Sequence, residues 1–263
     1  MRGDVRKDHA TAGEDIRQMS GGHVKRMRAL HQRKFREAEG LFLVQGRKML
    51  RELLATRFEV VELHATEEAA REMGLADAVI SPAHDLERMG TFTQGNEMVA
   101  VVRKPAPASL ILPAADRFVL AVDDVSDPGN LGTLLRIADW FGAEQLWCST
   151  ESVEVWNPKC VQASMGSIFR VPVVPTELPA ALRQAAEGGV HIYKAEASGA
   201  DVFTVKLARP AVLVLGSESH GLSKCVLDAP GSSIAIPSFG GAESLNVSAA
   251  AAALCMELVR HGR

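Results

Sequence analysis

The chain has 263 residues, 47% of them hydrophobic, and a formal net charge of −3. That length and apolar share can bury a substantial core, and two domains are expected. No run of about 18 apolar residues occurs, and residues 1–8 lack the apolar stretch of a secretory signal, so a membrane protein is disfavoured and a cytoplasmic location is expected.

The four cysteines, at 148, 160, 225 and 255, form no C-x-x-C pair, and 148, 225 and 255 stand in apolar or helical contexts. Reduced core thiols follow, and the eight histidines show none of the close Cys/His spacing of a zinc site. No metal is expected.

In chain order, residues 1–18 mix charges without apolar periodicity and read as a mobile tail. A basic helix is predicted over 23–39, with Val24, Met27, Leu30 and Phe35 as its apolar stripe and Gly40 as its stop. Strands follow at 41–44, 58–64, 78–80 and 98–102, with helices at 47–56 and 82–89, making residues 19–103 a small α/β unit. Residues 17–57 hold eleven Lys/Arg against three acids, a local balance of +8. Such a block suits phosphate contacts. Lys25, Arg26, Arg28, Arg33, Lys34 and Arg36 are the candidates for contacting nucleic acid; a solvated helix face is the alternative.

Prolines at 105, 107 and 113 mark residues 104–115 as a linker. Beyond it, residues 116–263 alternate short apolar strands (118–122, 145–148, 171–174, 190–195, 211–215, 233–236) with helical patterns near 131–142, 157–165, 177–187 and 246–260. Alternation of this kind predicts a mainly parallel sheet with helices on both faces.

Neither G-x-G-x-x-G nor G-x-x-x-x-G-K-[ST] occurs, so a dinucleotide fold and a P-loop find no support. The run from Gly216 to Gly221 looks like a hydrolase elbow, but Ser219 has Ser217, not glycine, two residues before it. Three segments remain, each just after a predicted strand, where the loops of a parallel sheet gather. The first contains Asp127-Pro128-Gly129-Asn130-Leu131-Gly132 and Arg136. Arg136 interrupts an apolar helix pattern and needs a partner, which a structural salt bridge would supply. Asp123, Asp124 and Asp127 could hold magnesium, but a turn and helix-start role suits them better. The second is Leu215-Gly216-Ser217-Glu218 with Gly221-Leu222-Ser223, where Glu218 could bind a ligand or cap a helix. The third runs from Ile236-Pro237 through Gly240 and Gly241 to Ser244-Leu245-Asn246-Val247-Ser248, placing polar groups at a helix N-terminus.

Together and in this order these segments resemble the signature motifs of the SpoU (TrmH-like) RNA 2′-O-ribose methyltransferases of the SPOUT superfamily, over nearly all of residues 118–260. Residues 162–172 are similar to a further family segment. Residues 20–103 more loosely resemble the ribosomal-protein-like RNA-binding domain that often precedes it. The resemblance implies a deep trefoil knot, S-adenosylmethionine as cofactor, a homodimer, and methyl transfer to a ribose 2′-hydroxyl, most readily in ribosomal RNA. It assigns Asn130, Arg136, Glu218, Ser244 and Asn246 to the active site, and Leu215, Gly216, Ile236 and Leu245 to the cofactor. Transfer RNA as substrate, or a non-catalytic RNA-binding protein on the same fold, are the alternatives.

Overall fold

The computed structural model describes residues 21–91 and 95–261; the tail expected over 1–18 lies outside them. The first half of the chain runs α1 (Gly21–Ala29), α2 (Arg33–Glu39), β1 (Leu41–Gln45), α3 (Arg47–Leu54), β2 (Val60–Ala65), α4 (Glu67–Met73), β3 (Val79–Ile80), α5 (Ala83–Met89) and β4 (Met98–Arg103). Its four strands form one sheet in the order β1-β4-β2-β3, with β4 antiparallel to both neighbours. Val24, Met27 and Leu30 of the first helical segment pack with Leu86 and Met89 of α5 on Leu41, Leu43, Val99 and Val101. The predicted stripe therefore faces the sheet at Val24, Met27 and Leu30, whereas Phe35, its fourth member, lies in α2 outside this cluster.

The single helix expected over 23–39 is two helices. Leu30, His31 and Gln32 donate backbone bonds only three residues back, to Met27, Arg28 and Ala29, which tightens and closes α1. Arg36 then folds back, donating from Nη1 to the Leu30 carbonyl at 2.8 Å. His31 donates from Nε2 to the Met89 carbonyl at 2.7 Å, and burial holds its pKa below the usual histidine value. Helix α4 has no counterpart among the expected elements, although Thr66 caps it by accepting from the Ala69 N–H and Glu67 and Glu68 fill its first turn. The short α9 given below has none either.

Residues 104–117 carry neither helix nor strand. The second half runs β5 (Phe118–Val122), α6 (Pro128–Phe141), β6 (Leu146–Ser149), α7 (Pro158–Ala163), β7 (Val173–Thr176), α8 (Leu178–Glu187), β8 (His191–Asp201), β9 (Ala211–Leu215), α9 (Lys224–Leu227), β10 (Ser232–Ala235) and α10 (Val247–His261). Six strands in the order β10-β8-β9-β5-β6-β7 pair in parallel throughout. Alternation along β5 explains why its run is apolar at every position. Phe118, Leu120 and Val122 face α6 and α10, whereas Val119 and Ala121 face Leu178, Ala181 and Leu182 of α8.

The two sheets share one apolar cluster. Phe42 packs on Trp156 with ring centroids 4.5 Å apart, and Phe58 meets Phe169 at 5.3 Å. Beside them the buried Arg36 donates from Nε to Glu154 Oε2 at 3.0 Å, and Lys104 reaches the other oxygen at 3.2 Å. Cys148, Cys160 and Cys255 are buried, and burial pushes the thiols of Cys148 and Cys255 up to about 12. Cys225, expected among the core thiols, is exposed at the start of α9.

Candidate active site and basic cavity

Loops leaving the carboxyl ends of β5 and β9 and the segment before α10 meet at one edge of the parallel sheet. Asp123 ties two of them together: its buried carboxylate accepts from the Ser223 N–H at 2.7 Å. Asp127 starts α6, its Oδ1 accepting from the Asn130 N–H at 2.9 Å with Pro128 in the first turn. Lys159 donates to Asp127 Oδ2 at 2.7 Å, and chiefly this contact holds that carboxyl below the usual range. Asp127 thus has the helix-start role, and Asp123 joins two loops.

The helix start presents Asn130 to both other loops. Its Nδ2 donates to Glu218 Oε1, 88 residues later. Its Oδ1 accepts from Asn246 Nδ2 at 3.2 Å. Asn246 in turn accepts through Oδ1 from the Ser248 N–H at 2.9 Å, capping α10. Each amide nitrogen donates and each oxygen accepts, so carboxylate, amide, amide and helix start form one consistently polarised chain.

Beside this chain lies a cavity of about 790 Å³, lined by Leu215, Gly216, Glu218, Ile236, Ser244 and Leu245 among others. All four residues assigned to the cofactor therefore border one space, joined by two of those assigned to catalysis. Its walls are mainly apolar, with Glu196, Asp201 and Glu243 adding carboxylates. Gly216 is required where it stands, since a Cβ there would fall 2.2 Å from the Gly221 carbonyl carbon. Ser217 and Gly221 close that loop with reciprocal backbone bonds of 3.0 and 2.9 Å. A space of this size, with apolar walls and a few polar groups at one end, can enclose a nucleoside-sized ligand.

Arg136 stands apart. It is exposed on α6, lines no part of the cavity, and has no ion pair among the described residues. The structural salt bridge that the apolar context suggested is not formed.

The basic block divides. Lys25, Arg28 and Lys34 line a second cavity of about 690 Å³ together with His31, Phe35 and Arg88. Lys34 Nζ sits 4.8 Å from the centroid of the Phe35 ring. Arg26 pairs with Glu39 and Glu62, and Arg33 with Glu37, although both remain largely exposed. Arg36 is a correction: at 2% exposure and bonded to Glu154, its guanidinium cannot reach a phosphate. Sequence reasoning misses Arg88, which lies far outside the 17–57 block and joins the cavity only through the packing of α5 on α1.

Comparison with known proteins gives a consistent outcome. Residues 117–256 match the SpoU rRNA Methylase family, and residues 22–104 match the MRM3-like substrate binding domain. The 23S rRNA (guanosine(2553)-2′-O)-methyltransferase RlmP of Bacillus subtilis is 31% identical over 240 residues, covering 89% of this chain and 95% of its own. The SpoU methyltransferase AviRb from Streptomyces viridochromogenes, solved with AdoMet, superposes with a TM-score of 0.81 at 28% identity, covering 92% of this chain and 98% of that one. An AdoMet-bound rRNA methyltransferase from Sinorhizobium meliloti superposes equally, with a TM-score of 0.81 at 27% identity over 93% and 96% of the two chains.

Proposed function

The chain belongs to the SpoU rRNA Methylase family, and from that premise we propose that the chain of Glu218, Asn130 and Asn246 beside the larger cavity is where it methylates ribosomal RNA. The protein is an RNA 2′-O-ribose methyltransferase that uses S-adenosylmethionine. The observation that carries the site assignment is the bonding of Asn130 to both Glu218 and Asn246, which draws three distant sequence segments to the mouth of one cavity.

The cavity suits that cofactor. Leu215, Ile236 and Leu245 offer flat apolar surface to a purine, and Gly216 leaves backbone accessible where any side chain would collide. Carboxylates on the wall suit a cationic ligand. When bound, S-adenosylmethionine supplies a methyl group already activated by its sulfonium.

What remains for the protein is alignment and one proton. The ribose 2′-hydroxyl would lose its proton as its oxygen takes up the methyl group, so an acceptor for that proton must stand beside it. Asn130, held from both sides, is oriented to fix a ribose hydroxyl, and the Glu218 carboxylate is the adjacent acceptor-only group. Ser244 lines the cavity and orients the reacting group from the opposite loop. Arg136, exposed one helical stretch further on, engages the target nucleotide's phosphate. A guanidinium holds its proton too tightly to act as a base, so positioning is its role.

The smaller cavity is the proposed RNA contact of the substrate-binding half, with Lys25, Arg28, Lys34 and Arg88 for phosphates and Phe35 for base stacking. Residues 19–103 and 116–263 act as separate binding and catalytic domains joined by 104–115, the second carrying the family's trefoil knot. The working unit is a homodimer: Trp140 on α6, one turn beyond Arg136, is 84% exposed, and Met256 on the adjoining α10 is 59% exposed, apolar surface that a second copy would cover. No helix among the described residues is long and apolar enough to cross a membrane, and a cytoplasmic location goes with a ribosomal RNA substrate.

Incubation with methyl-labelled S-adenosylmethionine and separate pools of unmodified ribosomal and transfer RNA tests this reading. Label at an alkali-resistant linkage in ribosomal RNA is expected. Label confined to transfer RNA would redirect the substrate assignment, and none in either pool despite cofactor binding would indicate a non-catalytic RNA-binding protein.

A further inference from the structure

Strand β2 presents Glu62 and His64 on one face, two residues apart, and the first turn of α1 lays His23 over them. The three ligating atoms nearly form an equilateral triangle. His23 Nε2 lies 3.2 Å from Glu62 Oε2 and 3.4 Å from His64 Nε2, and His64 Nε2 lies 3.4 Å from Glu62 Oε2. Zinc bonds to imidazole nitrogen and carboxylate oxygen are about 2.0–2.1 Å, which sets ligand-to-ligand separations of about 3.3–3.4 Å in a tetrahedron. The triangle matches one face of that tetrahedron.

The hydrogen bonds around the cluster point the same way. Ser81 Oγ donates to the Val79 carbonyl at 3.1 Å, so it accepts from His64 Nδ1 at 3.3 Å. With its proton on Nδ1, a neutral His64 turns the Nε2 lone pair toward Glu62 Oε2, itself an acceptor. Two acceptors at 3.4 Å need a shared donor or a cation between them, and His23 Nε2, within 3.4 Å of both, fills that place either as an N–H or as the third ligand of an ion. A second proton on His64 would bury a charged ring at 3% side-chain exposure, whereas a metal ion satisfies all three atoms at once. The outer contacts are those of a metal centre: a hydroxyl fixes the ring nitrogen opposite the ligating one, and Arg26 Nη1 holds the second carboxylate oxygen of Glu62 at 3.2 Å.

We propose that His23, Glu62 and His64 bind a Zn²⁺ ion that clasps α1 to β2, with water as the fourth ligand. His23 and Glu62 are 28% and 23% exposed at the side chain, which leaves that fourth position open to solvent. The role is structural. Helix α1 carries Lys25 and Arg28 of the basic cavity, and the clasp fixes it to the sheet independently of the methyl-transfer site. Sequence spacing could not show this, since the two histidines are 41 residues apart and meet only when α1 packs across β2.

The test uses untagged full-length protein stripped with a chelator and titrated with ZnCl₂ alone. One Zn²⁺ per chain with a raised Tm is expected. His23→Gln and Glu62→Gln, each checked for a native circular-dichroism spectrum, are expected to bind at least about tenfold more weakly. Co²⁺ substitution adds a readout of geometry, since intense four-coordinate d–d bands should appear in the wild type and vanish in Glu62→Gln. Wild-type protein that takes up no Zn²⁺, folded variants that bind it as tightly as wild type, or a weak six-coordinate Co²⁺ spectrum would each overturn the site.

Discussion

Asn246 donates from its side-chain amide to Asn130 Oδ1 at 3.2 Å across 116 residues of chain. Asn246 also caps α10 through its own Oδ1, so one residue caps a helix with its oxygen and joins the Asn130–Glu218 chain with its nitrogen. Asn246→Asp separates the two. The cap survives, but an acceptor now faces Asn130 Oδ1, and turning the Asn130 amide to suit it would set its oxygen against the Glu218 carboxylate. Methyl transfer should fall by more than about tenfold while stability changes by less than about 1 kcal/mol, the range of a conserved cap. Parallel measurement of kcat and Tm checks it.

Gly216 is pressed against the backbone of Gly221. For Gly216→Ala we expect the loop to shift outward, costing about 1–3 kcal/mol, as overpacking does. Cofactor affinity should drop at least about tenfold, read by calorimetry. An alanine variant with native affinity would show that this backbone does not border the bound cofactor.

Removing one partner of a buried ion pair costs about 3–5 kcal/mol, because the other charge is stranded. Arg36→Met should approach that loss in chemical denaturation, with Lys104 partly compensating Glu154. Arg36→Met combined with Glu154→Leu should recover much of it. Neither variant should alter the salt dependence of RNA binding, which distinguishes Arg36 from the cavity-lining cations.

How far the sequence can be read follows from which forces are local. Apolar runs such as Phe118 to Val122 and Ala211 to Leu215 announce parallel strands by themselves, because a strand buried on both faces must be apolar at every position. Motif order carries Asn130, Glu218 and Asn246 to one site. Charge alone misleads at Arg36, whose neighbours in sequence are solvent-facing cations but whose partner, Glu154, lies 118 residues away. Arg88, the break at residues 30–32, and the meeting of His23 with His64 are hidden for the same reason. Each is settled by one element packing on another.

Lys25, Arg28, Lys34 and Arg88 around the smaller cavity set an electrostatic prediction. Every phosphate that a cation no longer neutralises should shallow the plot of log affinity against log salt by roughly 0.7–0.9. Changing all four to glutamine should therefore flatten the plot in proportion to the number of phosphates they neutralise, with little effect on cofactor affinity. An unchanged slope would return these side chains to a merely solvated helix face.

The central claim, that Asn130 and, further along α6, Arg136 position the substrate rather than hold the cofactor, is tested most directly by a paired measurement on Asn130→Ala and Arg136→Ala. Methyl transfer to ribosomal RNA and S-adenosylmethionine affinity are measured on the same preparations. The account predicts turnover reduced by at least about a hundredfold, some 2.7 kcal/mol in the barrier, with cofactor affinity within a few fold of wild type. Turnover preserved in either variant, or cofactor affinity falling in step with turnover, would contradict it.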